Sequence, residues 1–379
     1  MATDLATPAS VVQLTLTAFL FGLAAGQLVI GPLSDRFGRR MPLLVSMVVC
    51  ALASVGAAAS PNVELLIAFR FVQGFTGSAG IVIGRIAVTD IGSGRAAVRA
   101  FSQLAAIGSF APVVAPLLGG LLMPAIGWRG VLWVIAAAAA VMTIGVALFI
   151  RESLPEERRR AGGIGETFWT TGWLFGNRSY VSYLAISAFG FGAVLAYVSA
   201  SPFVLPNVFG LSSRAFSLAF AANSCGLILA SLVNARLVTR VQPARILEVA
   251  QAGMVVVSLM LRVTVLTGVA TIATVLPMTF LLITTIGFTL SNAGAQAMVG
   301  VARGTGTAAA LLGAIQFGFG ALVSPLVGLG GKDSATMMVT VIAGCALLGL
   351  AMLPMTRCHP VHVSETVAGA EPAVPLATR

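Results

Sequence analysis

Eleven apolar runs, each long enough to cross about 30 Å of hydrocarbon, dictate what this chain can become. They fall at 11–31, 41–60, 65–85, 100–122, 130–150, 180–200, 215–235, 246–266, 270–291, 305–328 and 335–355. Backbone polar groups at membrane depth must be satisfied within the segment itself, so each run is predicted to be a helix. A polar stretch from Arg151 to Arg178, carrying the cluster RESLPEERRR, divides the runs into five and six. The expected fold is an all-α membrane protein of two helical bundles. The N-terminal bundle spans 1–150, a cytoplasmic linker 151–179, the C-terminal bundle 180–355 and a disordered cytoplasmic tail 356–379. Within the linker, Phe168, Trp169, Trp173, Leu174 and Phe175 predict a short helix lying flat at the membrane surface, with a wet linker as the alternative.

Composition closes off the other classes. Only 9% of the 379 residues are charged, against roughly 25% in a soluble domain. A soluble enzyme, a secreted disulfide scaffold and a disordered chain are all excluded. The net charge of +10 does not point to nucleic acid, because the arginines sit in short loops at helix ends and form no stripe. Cys50, Cys225, Cys345 and Cys358 share no CxxC spacing, and both histidines, His359 and His362, lie in the polar tail. Metal and redox sites are therefore not expected. Alternate loops carry 17 and 3 basic residues, which assigns the richer set to the cytoplasm. The C-terminus is then inside, and eleven crossings leave the N-terminus outside. The leading MATDLATPAS holds no basic anchor and has no signal-peptide pattern.

Three segments carry more than hydrophobicity. Between the first two runs lies GPLSDRFGRR, with Gly31, Asp35, Arg36, Gly38, Arg39 and Arg40. Pro32 and Gly38 are expected to make its tight turn. Asp35 can favour the positive N-terminus of another helix or pair with a nearby arginine. The third run contains RFVQG, with Arg70, Gln73 and Gly74. A charge near mid-membrane costs about 2.5–3.5 kcal/mol, so Arg70 should face a partner, a wet cavity or, by snorkelling, the outer surface. Gly74, Gly77 and Gly80 should admit a close neighbour. The fourth run carries APVVAPLLGG, where Pro112 and Pro116 bend the helix and Gly119 and Gly120 allow close approach.

These segments resemble the major facilitator superfamily. GPLSDRFGRR is similar to its signature loop, RFVQG to its R-x-x-Q-G, and APLLGG to the G-P-x-x-G-G of drug–proton exchangers, with Ala115 where that motif has Gly. Together with RESLPEERR, AYVSASPFV and TGTAAALLGAIQFGFGALVSPL, they resemble the Bcr/CflA multidrug exporters over about residues 8 to 355. The resemblance implies proton-driven export of small drugs across a bacterial inner membrane. It implies that Arg70 takes part in proton coupling and that Asp35 docks against the helix beginning GTGTAAA. It also implies that Asp90 pairs with an arginine of the Arg36–Arg40 loop.

A secondary transporter with two pseudo-symmetric bundles would place its substrate between them. Polar residues on otherwise apolar helices are the cavity candidates: Gln27, Tyr197, Asn223, Asn292 and Gln316. Each is as readily a helix–helix hydrogen bond. No nucleotide loop, HExxH or nucleophile elbow is present. The chain is expected to be no enzyme, to need no cofactor or metal, and to work as a monomer on a drug and protons. All twelve acids lie at ends, loops or tails, although a proton-coupled carrier needs a titratable group in its path. The five-plus-six grouping predicts a longer natural product with twelve helices, in which Met1 is internal. The competing expectation is a truncated membrane protein that does not transport.

Overall fold

A computed structural model describes residues 4–5, 7–91, 95–154, 171–299, 301, 305–328 and 335–356. Every regular element among them is a helix. In chain order these are α1 (Ala9–Phe37), α2 (Arg40–Ala59), α3 (Val63–Ile91), α4 (Arg95–Phe149), α5 (Arg178–Phe209), α6 (Ser213–Leu237), α7 (Pro243–Leu266), α8 (Ile272–Met298), α9 (Thr305–Gly328) and α10 (Ala335–Thr356). A short helical turn covers 171–176. Ten helices among the described residues are long and apolar enough to span a bilayer.

Several helices outrun their apolar cores. The largest departure concerns Pro32, expected in the turn after the first helix; α1 instead continues through it to Phe37. A membrane helix tolerates the missing N–H where neighbouring groups re-satisfy the backbone. The turn is made by Gly38 alone, whose φ of 89° suits a residue without Cβ. The fourth and fifth apolar runs form one 55-residue element, broken at Gly127 with φ 65° and ψ −179°. At 1.5 Å per residue its two arms sum to about 80 Å of helix, more than twice the hydrocarbon thickness. In the linker, Leu174 is fully buried against Tyr180 and Tyr183 of α5. Trp173 and Phe175 on either side are half-exposed. Phe168 and Trp169 lie outside the described residues.

Helices α1 to α4 pack on one another, as do α5 to α10, and the two groups meet mainly through α1 against α9 and α4 against α6. The larger core fills the second group, around Tyr197, Met254, Leu282, Ile286 and Ile342. A smaller apolar cluster joins the groups, with Leu20 and Leu23 of α1 against Leu195 of α5 and Ala321 of α9. The outward faces are apolar, Leu148 and Phe149 of α4 being 72% and 79% exposed. Such faces suit lipid contact.

Lipid is as apolar as leucine, so helices in it associate by close packing. The α1–α3 contact shows how. A Cβ on Gly22 would overlap the Phe71 carbonyl oxygen, one on Gly26 that of Phe75, and one on Gly74 that of Phe19. Gly77 and Gly80 meet no described atom within 4 Å, so of the expected glycine series Gly74 alone makes the close approach. Gly74→Val should therefore cut the folded, monodisperse fraction on fluorescence-detected size exclusion severalfold. Gly145→Val, on α4 with no described atom within 4 Å of a Cβ, should leave it unchanged.

Candidate functional site

The loop between α1 and α2 is held by hydrogen bonds from both sides. Arg39 is buried, and its Nη1 donates to Ser34 Oγ at 2.7 Å and to Asp35 Oδ1 at 2.5 Å. Asp35 is thus ion-paired one helical turn back along the chain, its side chain 43% exposed. Arg36 lies over the Phe37 ring. Gly31 sits beside Val82 of α3. The side chain of Asp90, expected to pair with this loop, lies outside the described residues.

Sequence reasoning missed Glu152. Its carboxylate accepts the backbone N–H of Arg39 at 2.8 Å, of Arg40 at 3.2 Å and of Leu154 at 3.0 Å. The first two belong to the N-terminus of α2, beyond the reach of acceptors within that helix, where an anion is favoured by the helix dipole. Arg40 Nη2 reaches back to the Ala147 carbonyl. At the other end of α2, Arg129 Nη1 donates to the carbonyls of Ala58 and Ser60, at 3.1 and 2.8 Å, and stacks on Trp128. The Trp128 indole donates to Asp4. One stretch of chain, from Arg129 to Glu152, thus supplies a cation to the negative end of α2 and an anion to the positive end. The only sequence signal for this was a basic residue at one end of an apolar run and an acid, within a charged cluster, at the other.

Within the membrane, Arg70 Nη1 donates to Gln73 Oε1 at 3.1 Å and lies 4.4 Å from the Phe19 ring centroid. Gln73 Nε2 passes the chain on to Ser54 Oγ at 2.7 Å, and Ser54 donates to the Cys50 carbonyl. The structure therefore brings Arg70, Gln73 and the α2 backbone together. Among the described residues no carboxylate pairs with Arg70.

The cavity candidates fall in four places. Gln27 is buried at the α1–α9 contact, against Gly313. Asn223 Nδ2 donates to the Tyr197 hydroxyl at 2.6 Å and to Thr279 Oγ1 at 3.2 Å, joining α5, α6 and α8. Phe220 stacks on the same tyrosine. Asn292 donates to Asn234 Oδ1, and Gln316 Nε2 to Ser187 Oγ. In α4, Gly120 abuts Ser217 of α6, so the second glycine of the APLLGG segment lies at a contact between the two groups. Gly119 meets no described atom within 4 Å, and the side chains of Pro112 and Pro116 lie outside the described residues.

The α1–α9 contact has a readable register. Gln13 lies against Gly328, Ala24 against Gly318 and Gln27 against Gly313, so the helices run antiparallel.

Residues 1–326 match the Major Facilitator Superfamily. This chain belongs to the major facilitator superfamily. The uncharacterized MFS-type transporter YdgK of Bacillus subtilis is 37% identical over 360 residues, spanning 94% of this chain and 89% of its own. A bicyclomycin resistance protein homolog of Haemophilus influenzae is 29% identical, spanning 92% and 88%. Among solved structures, a D-xylose-proton symporter superposes with a TM-score of 0.72 at 15% identity, over 92% of this chain and 88% of that one. The nucleoside transporter NupG gives 0.70, also at 15%, over 94% and 93%. At that identity the likeness is one of fold, and the major facilitator fold is the frame on which these contacts sit.

Burial alone would push the Glu152 carboxyl up. The N–H groups of Leu154, Arg39, Arg40 and Ser153 outweigh that and hold its pKa below the ordinary value. A lowered folded-state pKa adds stability that is present above the unfolded pKa and lost as pH falls through the folded one. Glu152→Gln should thus destabilise the protein by about 0.3–1 kcal/mol near neutrality. Thermal melts of variant and parent should converge as the pH drops below the carboxylate range. A gap independent of pH would mean that the ionised carboxylate contributes nothing.

Proposed function

We propose that this chain is a secondary exporter of small lipophilic drugs, exchanging them for protons across a bacterial inner membrane by alternating access. The observation that carries the reading is the contact between the two groups of helices. They meet mainly along α1–α9 and α4–α6, and glycines pack closely at both, Gly313 and Gly328 at one and Gly120 at the other. Two bodies joined along such seams can rock about a site between them. The drug substrate comes from the relatives, named as a bicyclomycin resistance protein homolog and, in Escherichia coli, as multidrug resistance protein D. The latter is 32% identical over 58% of this chain.

In this reading the chain crosses the membrane eleven times, five in a bundle over 1–150 and six in a bundle over 180–355. The long α4 crosses twice and reverses at Gly127. The linker and tail lie in the cytoplasm, and one copy suffices. Gln27, Tyr197, Asn223, Asn292 and Gln316 supply the polar points of the path. Arg70, desolvated beside Gln73 and Gly74, serves proton coupling. Asp35, which the α1–α9 register would bring to the first turn of α9 if extended along both axes, closes the cytoplasmic side, where a helix N-terminus favours an anion by about 0.3–1 kcal/mol when exposed. Asp90 steadies the loop from α3, and Pro112, Pro116, Gly119 and Gly120 shape the α4 side. A non-transporting membrane protein has one observation in its favour, the lack of a carboxylate beside Arg70 among the described residues.

Drug efflux from cells expressing the chain separates the two readings. Export that collapses when the proton gradient is discharged supports the exporter, and no export at parental abundance supports the other. Arg70→Lys keeps the charge but loses the planar fork, so export should fall at least tenfold with membrane abundance unchanged. Full export by Arg70→Ala would remove Arg70 from coupling. Asp35→Asn should slow export and raise maleimide labelling of a cysteine placed in the central path from the cytoplasmic side. Lost export with unchanged labelling would show that Asp35 acts in another way.

A further inference from the structure

At the α1–α9 seam two glutamines of one helix sit where two glycines of the other leave room. A Cβ on Gly313 would overlap Gln27 Oε1 and lie 2.8 Å from its Cδ and 3.0 Å from its Nε2. A Cβ on Gly328 would overlap Gln13 Oε1 and lie 3.1 Å from its Cδ. Gln13 and Gln27 are about four helical turns apart, and so lie on one face of α1. Ala24, between them on that face, would have its Cβ 3.7 Å from a Cβ placed on Gly318, an ordinary contact.

The two ends of the Gln27 amide are in different circumstances. The residue is 1% exposed, and its Nε2 has no hydrogen-bond partner. The Gly313 notch therefore accommodates the shape of the carboxamide while leaving its two N–H groups unpaired. A buried unpaired donor costs free energy that is recovered when it meets water or another acceptor. Close packing across the notch favours a closed seam, and the unpaired amide favours an open one.

We propose that Gln27 and Gly313 form a mid-seam balance that sets how often the two bundles part. The inference rests on the reading that the seam opens and closes during transport. Gln27 is a positioning residue here: its free amide keeps the closed seam from becoming a trap, and the missing side chain at residue 313 lets the seam close at all. Three substitutions follow with opposite signs. Gly313→Ala places a methyl where the amide sits and should hold the seam open. Gln27→Leu removes the unpaired donor at similar volume and should hold it closed. Gln27→Ala combined with Gly313→Ala empties the place that the new methyl needs and also removes the unpaired donor, so it should undo the opening.

The readout is the labelling rate of Ala24→Cys by a water-soluble maleimide, in a full-length background with Cys50, Cys225, Cys345 and Cys358 changed to Ser. Ala24 is buried at the seam, so its labelling counts opening events. Gly313→Ala should raise the rate about fivefold or more, Gln27→Leu should lower it by a similar factor, and the double variant, lacking both the clash and the donor, should fall to the parental rate or below it. A Gln27→Leu rate equal to or above the parent overturns the proposal, as does a double variant as fast as Gly313→Ala alone. If Gly313→Ala does not fold, the Gln27→Leu arm decides by itself. Labelling is scored without transport: the predicted pattern in a chain that exports nothing refutes the exporter and leaves the balance standing. Normal export with unaltered labelling refutes the balance alone.

Discussion

Close approach of α1 to its neighbours is the constraint on which the rest of this structure depends. Burial of apolar surface cannot hold helices together in a solvent as apolar as their side chains, so what remains is contact at short range. Helix α1 meets α3 on one side through Gly22, Gly26 and Gly74, and α9 on another through Gly313 and Gly328. It is packed tightly into its own group and, at the same time, against the other. In the proposed rocking motion, a helix in that position would carry a shift of one group to the other. The signature loop hangs from its C-terminal end, with Asp35 and Arg39 paired at the last turn.

Electrostatics then fixes what packing leaves loose. Helix α2 runs between Glu152 at its N-terminus and Arg129 at its C-terminus, each opposite the dipole end it complements. Both charges come from the stretch following Gly127, so α2 and the second arm of α4 are tied at both ends. The tie at Glu152 also holds the backbone of Arg39, whose side chain holds Asp35. The loop geometry is thus set by a residue that lies beyond the whole length of α4.

Much of this was legible in the sequence because the membrane restricts backbones so severely. Long apolar runs had to be helices, and the superfamily's loop stood where two of them joined. Helix ends were less legible: apolar content marks the hydrocarbon, whereas α1 stops only where Gly38 breaks it, six residues past Pro32. Which glycines mattered was not legible either, since Gly74 and Gly77 differ only in what faces them. Glu152 read as one acid in a charged cluster, because its partners are more than a hundred residues away in the chain. Asn223, Asn292 and Gln316 were visible as polar intrusions, but their sequence could not say that they bond to Tyr197, Asn234 and Ser187.

That α1 and α9 close on each other in one register, and must part for transport, is the central claim. Ala24 Cβ lies 3.7 Å from where a Cβ on Gly318 would be, within the span of about 3.5–4.5 Å that a disulfide requires. Cysteines at Ala24 and Gly318, in membranes under mild oxidation, should cross-link readily and stop export, and reduction should restore it. A cysteine at Gly320, which faces Leu195 instead, should not link to the one at Ala24. Cross-linking to residue 320 in preference to 318, or a cross-linked protein that exports at the parental rate, would contradict the account.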